Sequence, residues 1–188
     1  MLTNTKNLNQ AFDILLKEAR FYPRTKILSE LNLITDRIRF SANLQELFST
    51  KNTNKEKLKA TITTLFEDDL SEEIHGFLLN LADNDLSNLL VKENAQEFIE
   101  FCQNKLYQIK ELFFVTAIPL SNNFREIVIA NIKTVFINEE IRVIFEVKPN
   151  TVVGFLLQDG KVLYDYTFKT NFVYYLNSYF KTKLEAIR

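Results

Sequence analysis

Glycine and proline are scarce in this chain. There are three of each among 188 residues, with one cysteine, one histidine and no tryptophan. So few glycines leave little room for the glycine-rich loops that cradle phosphates. A single cysteine, Cys102, excludes an internal disulfide and fits a reducing, cytosolic compartment. His75 is the one histidine and has no second His or Cys near it in sequence, so no ordinary metal site and no bound cofactor are expected. Charge of one sign is missing too. The net charge is −1, which gives no large field to draw the chain to nucleic acid or to an anionic membrane. No apolar run reaches the roughly 20 residues that span a bilayer. The opening MLTNTKNLNQ lacks the apolar core of a signal peptide. Any membrane role is therefore expected to be peripheral, without direct insertion.

What is present is the ordinary mix of a globular protein: 46% hydrophobic and 25% charged residues. The length suits one medium domain or two small ones. The first 110 residues carry helical spacing. Leu8, Ala11, Phe12 and Leu15 share one face, and Pro23 is expected to end that segment. Ile27, Leu28, Leu31, Ile34 and Ile38 form a second stripe, and Leu44, Leu47 and Phe48 a short third. Thr53 and Glu56 have the spacing of a capping box for a fourth helix with Leu58, Ile62, Leu65 and Phe66 inward. Ser71, followed by Glu72 and Glu73, caps a fifth with Ile74, Phe77, Leu78 and Leu81. ADND at 82–85 is a break. A sixth, longer helix is predicted from Leu86 through Leu89, Leu90, Phe98, Ile99 and Cys102 to Leu106. Each stripe is too weak to fold alone, and together they predict an antiparallel bundle.

After Lys110 the period changes. ELFFVTAIPL reads as a strand that stops at Pro119. Ser121 can cap a helix with Phe124, Ile127, Val128, Asn131 and Val135 on its inner face. IRVIFEVK alternates with period two, placing Ile141, Val143, Phe145 and Val147 on one face. Pro149-Asn150 makes a turn, VVGFLLQ is a strand, Asp159-Gly160 signals a hairpin, and KVLYDYTF pairs back. A last helix is expected over 171–187. The predicted class is α+β: a six-helix antiparallel bundle over 1–110, then a small α/β domain of order β-α-β-β-β-α over 111–188.

Candidate chemistry is thin. Gly154 and Gly160 with Lys161 suggest a phosphate loop, but five residues separate the glycines where that loop needs four. Val162 stands where it needs Ser or Thr. His75, near a helix start, is expected in a surface or capping role. Cys102 lies on an apolar stripe and is expected to be buried and inert. Asp68 and Asp69, or Glu139 and Glu140, read as solvated ends of helices or loops. Asp165 interrupts the alternation between Tyr164 and Tyr166 and can bond nearby backbone donors. Phe172, Leu176, Tyr179 and Lys183 have helical spacing, which favours packing or partner binding over base stacking. Absence of visible catalysis points towards interaction.

Val115, Thr116, Ala117, Ile118, Pro119 and Leu120 read VTAIPL. That resembles the V-T-S-A-x-P-L strand of the delta subunits of bacterial F-type ATP synthases, called the oligomycin-sensitivity-conferring protein in mitochondria. The family's later strand near a Pro, its GG strand, its G-D-x-x-x-D-x-S hairpin and its last helix have counterparts at Pro149, Gly154, Gly160, Asp165, Thr167 and Phe172. In the first half, Ala11 and Phe12 match the family's opening, Asn54, Lys55, Glu56 and Lys57 its fourth helix, and Phe77, Leu78 and Leu81 its fifth. The chain departs from the pattern at Leu8, where Tyr is usual, at Val153 for the first Gly of GG, and at Thr167 for Ser. It also departs at Asp85, in the neighbourhood of an expected Arg.

The resemblance implies a non-catalytic adaptor on the cytoplasmic side of the cell membrane. Its bundle would grip the N-terminal helices of the ATPase alpha subunits. Its C-terminal domain would hold the b-type subunit of the peripheral stalk. The partner-binding residues implied are Leu8, Ala11, Phe12, Leu15, Phe77, Leu81, Gly154, Asp165 and Phe172. Three other readings stay open: the same adaptor in an F-type-like assembly that does not translocate ions, an unrelated helical scaffold, and a small enzyme using Asp165 and Lys161.

Overall fold

The computed structural model describes residues 5–49, 55–66, 68–137, 139–151 and 154–167. The chain divides into two compact units, Met1–Gln108 and Ile109–Arg188. Among the described residues there are seven α-helices and a four-stranded mixed sheet, an α+β class.

The first unit holds α1 (Thr5–Glu18), α2 (Arg24–Arg39), α3 (Ala42–Ser49), α4 (Lys55–Phe66), α5 (Glu72–Asp83), a 3₁₀ turn at Ser87–Leu90, and α6 (Lys92–Gln108). α5 packs against α1 on one side and α4 on the other, while α2 packs against α6. The stripes supply the core: Phe77 of α5 stacks on Phe98 of α6 with centroids 6.2 Å apart. Phe12 meets Phe101 edge-on at 6.0 Å. Burying each such ring contributes about 1.5–3 kcal/mol relative to leaving it in water. Ser71 caps α5 through its side chain, which accepts from the Ile74 N–H. Thr53 lies outside the described residues.

Three expectations change. Pro23 does not end α1. That helix stops at Glu18, the chain turns with Tyr22 N donating to Ala19 O, and Pro23 occupies the N-cap of α2. There its missing N–H leaves no hydrogen bond unmade. The predicted sixth helix is broken in two. Lys92 takes a left-handed φ of 54°, so the 3₁₀ turn cannot run on into α6. Leu65 is 41% exposed, because the buried stripe of α4 follows Leu58, Ile62 and Phe66 at i+4 and leaves Leu65 at its edge.

The second unit starts with β1 (Lys110–Thr116), then α7 (Asn122–Val135), β2 (Ile141–Val147), β3 (Phe155–Asp159) and β4 (Val162–Asp165). The strand order is β2-β1-β3-β4. β1 and β2 are parallel and joined through α7, while β1–β3 and β3–β4 are antiparallel. Ser121 caps α7, accepting from Phe124 N. Lys110 Nζ over the Phe136 ring (4.6 Å) and Arg125 over the Phe145 ring (5.5 Å) hold α7 to one face of the sheet. The helix expected over 171–187, with Phe172, lies outside the described residues.

Two details of this unit also differ from expectation. α7 buries Val128, Ile129 and Ile132, and turns Phe124, Ile127 and Val135 outward. In β2 the alternation does not separate a dry face from a wet one. Arg142 and Ile144 are buried along with Val143. Arg142 tolerates this because it sits opposite Glu111 in the β1–β2 register and ion-pairs with it at 3.2 Å.

Candidate partner-binding surfaces

The six apolar residues singled out on α1 and α5 lie inside the first unit. Leu8, Ala11, Phe12, Leu15, Phe77 and Leu81 are all buried. They hold α1 against α5. Beside them on the outer side of that seam, Gln10 Nε2 reaches Asn84 Oδ1 at 3.5 Å, and Asn80 Nδ2 donates to Glu18 Oε1 at 3.2 Å. The start of α1 therefore meets the end of α5. Glu73, Gly76 and Asn80 line one flank of α5 at i, i+3 and i+7, each half-buried. Nothing in the spacing of apolar residues marks Glu18 or Asn80, so sequence reasoning passed over both.

Near the start of α5, Glu30 collects three hydrogen bonds. Tyr22 OH donates to one carboxylate oxygen, and Ser71 N and Oγ both donate to the other at 2.9 Å. Burial, then the bond to Glu30, push the Tyr22 hydroxyl above its usual pKa. His75 is neither a surface group nor the cap. It is half-buried, and its Nε2 is buried without a hydrogen-bond partner among the described residues. Cys102 is fully buried, and that burial drives its thiol far above the usual range, so no thiolate forms near neutrality. No cluster of His, Cys, Asp and Glu among the described residues is arranged to hold a metal ion.

The stretch suspected of binding phosphate is strand-turn-strand. Asp159 pairs with Val162 across a two-residue turn, Gly160-Lys161, with Gly160 at φ 55°. The turn thus takes Gly at its first position, not the Asp-Gly pair itself. Asp165 ends β4, and its Oδ1 accepts from Thr167 N at 2.9 Å and Thr167 Oγ1 at 2.7 Å. It closes a local turn, at the other end of β4 from Lys161. Gly154 has φ 129°, and a Cβ there would fall 2.5 Å from Tyr166 O and 2.7 Å from Thr167 Cα. Gly154, Asp165 and Thr167 therefore form one piece of structure: the carboxylate fixes the exit from β4, and the bare glycine lets that exit lie against the entry to β3.

Above this joint lies an apolar cavity of about 300 Å³ lined by Phe114, Ile118, Leu120, Phe124, Gly154 and Phe155. Two of these, Phe114 and Phe155, belong to an aromatic row crossing the sheet. Phe145 meets Phe114 at 5.7 Å, Phe114 stacks on Phe155 at 4.7 Å, and Phe155 on Tyr166 at 4.9 Å. Phe124 of α7 lines the cavity and is 54% exposed; Ile127, one turn further along that helix, is 55% exposed. Large apolar side chains left this open are what a partner surface requires. Among the described residues no helix is long and apolar enough to cross a membrane.

Comparison with known proteins agrees with the motifs. Residues 22–174 match the family model described as the ATP synthase delta (OSCP) subunit. The ATP synthase subunit delta of Rickettsia bellii is 28% identical over 148 residues, covering 77% of this chain and 75% of that protein. The subunit delta of Clostridium kluyveri is 27% identical over 146 residues, covering 76% and 77%. A chain in the mitochondrial ATP synthase hexamer of Toxoplasma gondii covers 92% of this chain at 10% identity and a TM-score of 0.40, too loose for anything to rest on it. The family model spans most of the chain. The chain belongs to the ATP synthase delta (OSCP) subunit family, as a non-catalytic stator adaptor.

Proposed function

We propose that the two units divide the adaptor's work. The helical unit, read as a six-helix antiparallel bundle, grips the N-terminal helices of the ATPase alpha subunits. The second unit holds the b-type subunit of the peripheral stalk, on the cytoplasmic side of the cell membrane. The coupling is mechanical, since a head that is gripped from outside cannot turn with the rotor.

The observation that carries this reading is the open apolar cavity of the second unit. Phe124 lines it beside the stacked rings of Phe114 and Phe155, and Ile127 stands exposed one turn further along α7. That arrangement suits an amphipathic helix, which binds through anchors at i, i+3, i+4 and i+7. In the first unit Leu8, Ala11, Phe12, Leu15, Phe77 and Leu81 act from within, by fixing the spacing of α1 and α5. Gly154 and Asp165 do the same for the cavity. The half-buried side chains along the α1–α5 seam would make the contact itself.

The test is co-purification from the native cell with a tag on this chain. Alpha, beta and b-type subunits should be recovered together. A clean recovery that contains none of them overturns the adaptor reading. Phe124→Asp should release the b-type subunit while keeping the alpha subunits.

A further inference from the structure

The two edges of the sheet differ. At one edge β2 buries Arg142, Val143 and Ile144. At the other, every residue of β4 is exposed. Edge strands are usually guarded by charge, proline, a bulge or a covering element, because their open backbone invites another strand. β4 reads Val162-Leu163-Tyr164-Asp165 and pairs with β3 without a bulge. Its one charge is at the end, where Asp165 is tied to Thr167. Its apolar side chains are open on both faces. Tyr164 pairs with Leu157, and Leu157 with Phe114, so Tyr164 and Val162 share the face of the aromatic row, 42% and 51% exposed. Leu163 is on the opposite face, 56% exposed. A helix laid on the sheet would cover one of these faces. A strand added at the edge borders both.

The backbone is set for that addition. Asp159 and Val162 flank a two-residue turn and so exchange hydrogen bonds, and the alternation of an antiparallel ladder makes Leu163 a non-bonded position. Tyr166 N donating to Phe155 O keeps the same alternation. The Leu163 N–H and C=O therefore point away from β3, off the edge. We propose that β4 accepts an extended segment of the b-type subunit as a fifth strand, an assignment that rests on the stalk-holding reading above. The stalk is the occupant because this edge is continuous with the cavity given to it: Phe155 lines the cavity, and Tyr166, at the exit of β4, stacks on Phe155. The segment carries apolar side chains at alternate positions to lie beside those of β4. Main-chain bonds supply the affinity in strand addition, so binding depends on the Leu163 N–H more than on the leucine side chain.

The test uses the full chain and the purified b-type subunit from the same cell, with amide hydrogen exchange read at single residues. The Leu163 amide should exchange freely in the isolated chain and at least about tenfold more slowly in the complex. Leu163→Pro removes that N–H and leaves the β3–β4 bonds intact, as an edge strand permits. It should bind the b-type subunit about tenfold more weakly, the worth of a hydrogen bond at the upper end of the usual range. Leu163→Thr keeps the N–H and should bind nearly as wild type does. An amide already protected in the isolated chain overturns the inference, because the chain itself or a second copy would then cover the edge. So does an amide that stays fast in the complex, a folded Leu163→Pro that binds as wild type does, or a Leu163→Thr that loses as much as Leu163→Pro. If Leu163→Pro does not fold, the exchange measurement decides alone. Failure of the wild-type chain to bind the b-type subunit at all would instead overturn the stalk-holding reading.

Discussion

Gly154 and Gly160 stand six residues apart and tolerate change very differently. At Gly160 nothing lies within 4 Å of a would-be Cβ, so alanine meets only the cost of a left-handed φ, about 1–2 kcal/mol. At Gly154 the methyl would overlap the backbone of Tyr166 and Thr167, which cannot move without undoing the Asp165–Thr167 turn. Gly154→Ala should therefore destabilise the protein by at least about 3 kcal/mol, clearly more than Gly160→Ala in urea unfolding. Similar losses in the two variants would show that the Gly154 joint relaxes. Tyr22 gives a residue-scale prediction in pH. Its hydroxyl titrates higher in the folded chain than in the unfolded one, first through burial and then through Glu30. Folding thus binds a proton in the window above the unfolded value of about 10. The stability from this group is complete below that pH and is lost as pH rises through the folded value. Lys110, raised by its bonds to Asp159 and Glu139, adds a loss of the same sign. Melting temperature should fall steeply above about pH 10, and Tyr22→Phe should lower it at neutral pH while flattening that fall.

Elements show what sequence could and could not say. Ser71 and Ser121 were legible as caps because the capping bond is local, from a side chain to an N–H three residues on. The stripes of α1, α2 and α5 were legible because burial of one face sets their spacing. α7 was not. Its apolar residues spread over a wide arc, so spacing alone could not tell its core face (Val128, Ile129, Ile132) from its exposed one (Phe124, Ile127). The break at Lys92 was equally invisible, since a left-handed lysine has no sequence mark. β2 misled for a third reason: its Arg142 reads as solvent-facing unless the residue opposite in β1 is known. That residue is Glu111, and both side chains are buried. Glu111→Ala should cost about 3–5 kcal/mol, because it removes the carboxylate that pairs with a buried guanidinium. Replacing both, as Glu111→Met with Arg142→Met, should cost far less. Thermal unfolding of the two variants distinguishes this from an ordinary surface pair, for which both would lie within about 1 kcal/mol of wild type.

At the scale of the whole molecule, each unit has its own source of stability. The first has a core running through α1, α2, α5 and α6, with Phe77 stacked on Phe98. The second has one sheet face under α7 and an aromatic row beside it. α6 ends at Gln108 and β1 begins at Lys110, so a cut between Gln108 and Ile109 severs no element. On the division of work proposed above, two grips that each bind a helix with modest affinity would still hold the head firmly when both are engaged. Residues 1–108 expressed alone should therefore unfold in one cooperative transition and retain binding to the catalytic head, while losing the b-type subunit. Residues 109–188, with less surface to bury, should be the less stable piece. Circular dichroism melts and pull-downs of the two fragments check both halves of this. A fragment 1–108 that melts without cooperativity would mean that the helical unit depends on the second for its fold. A fragment that folds but releases the head would mean that the grip on the head is shared between the units.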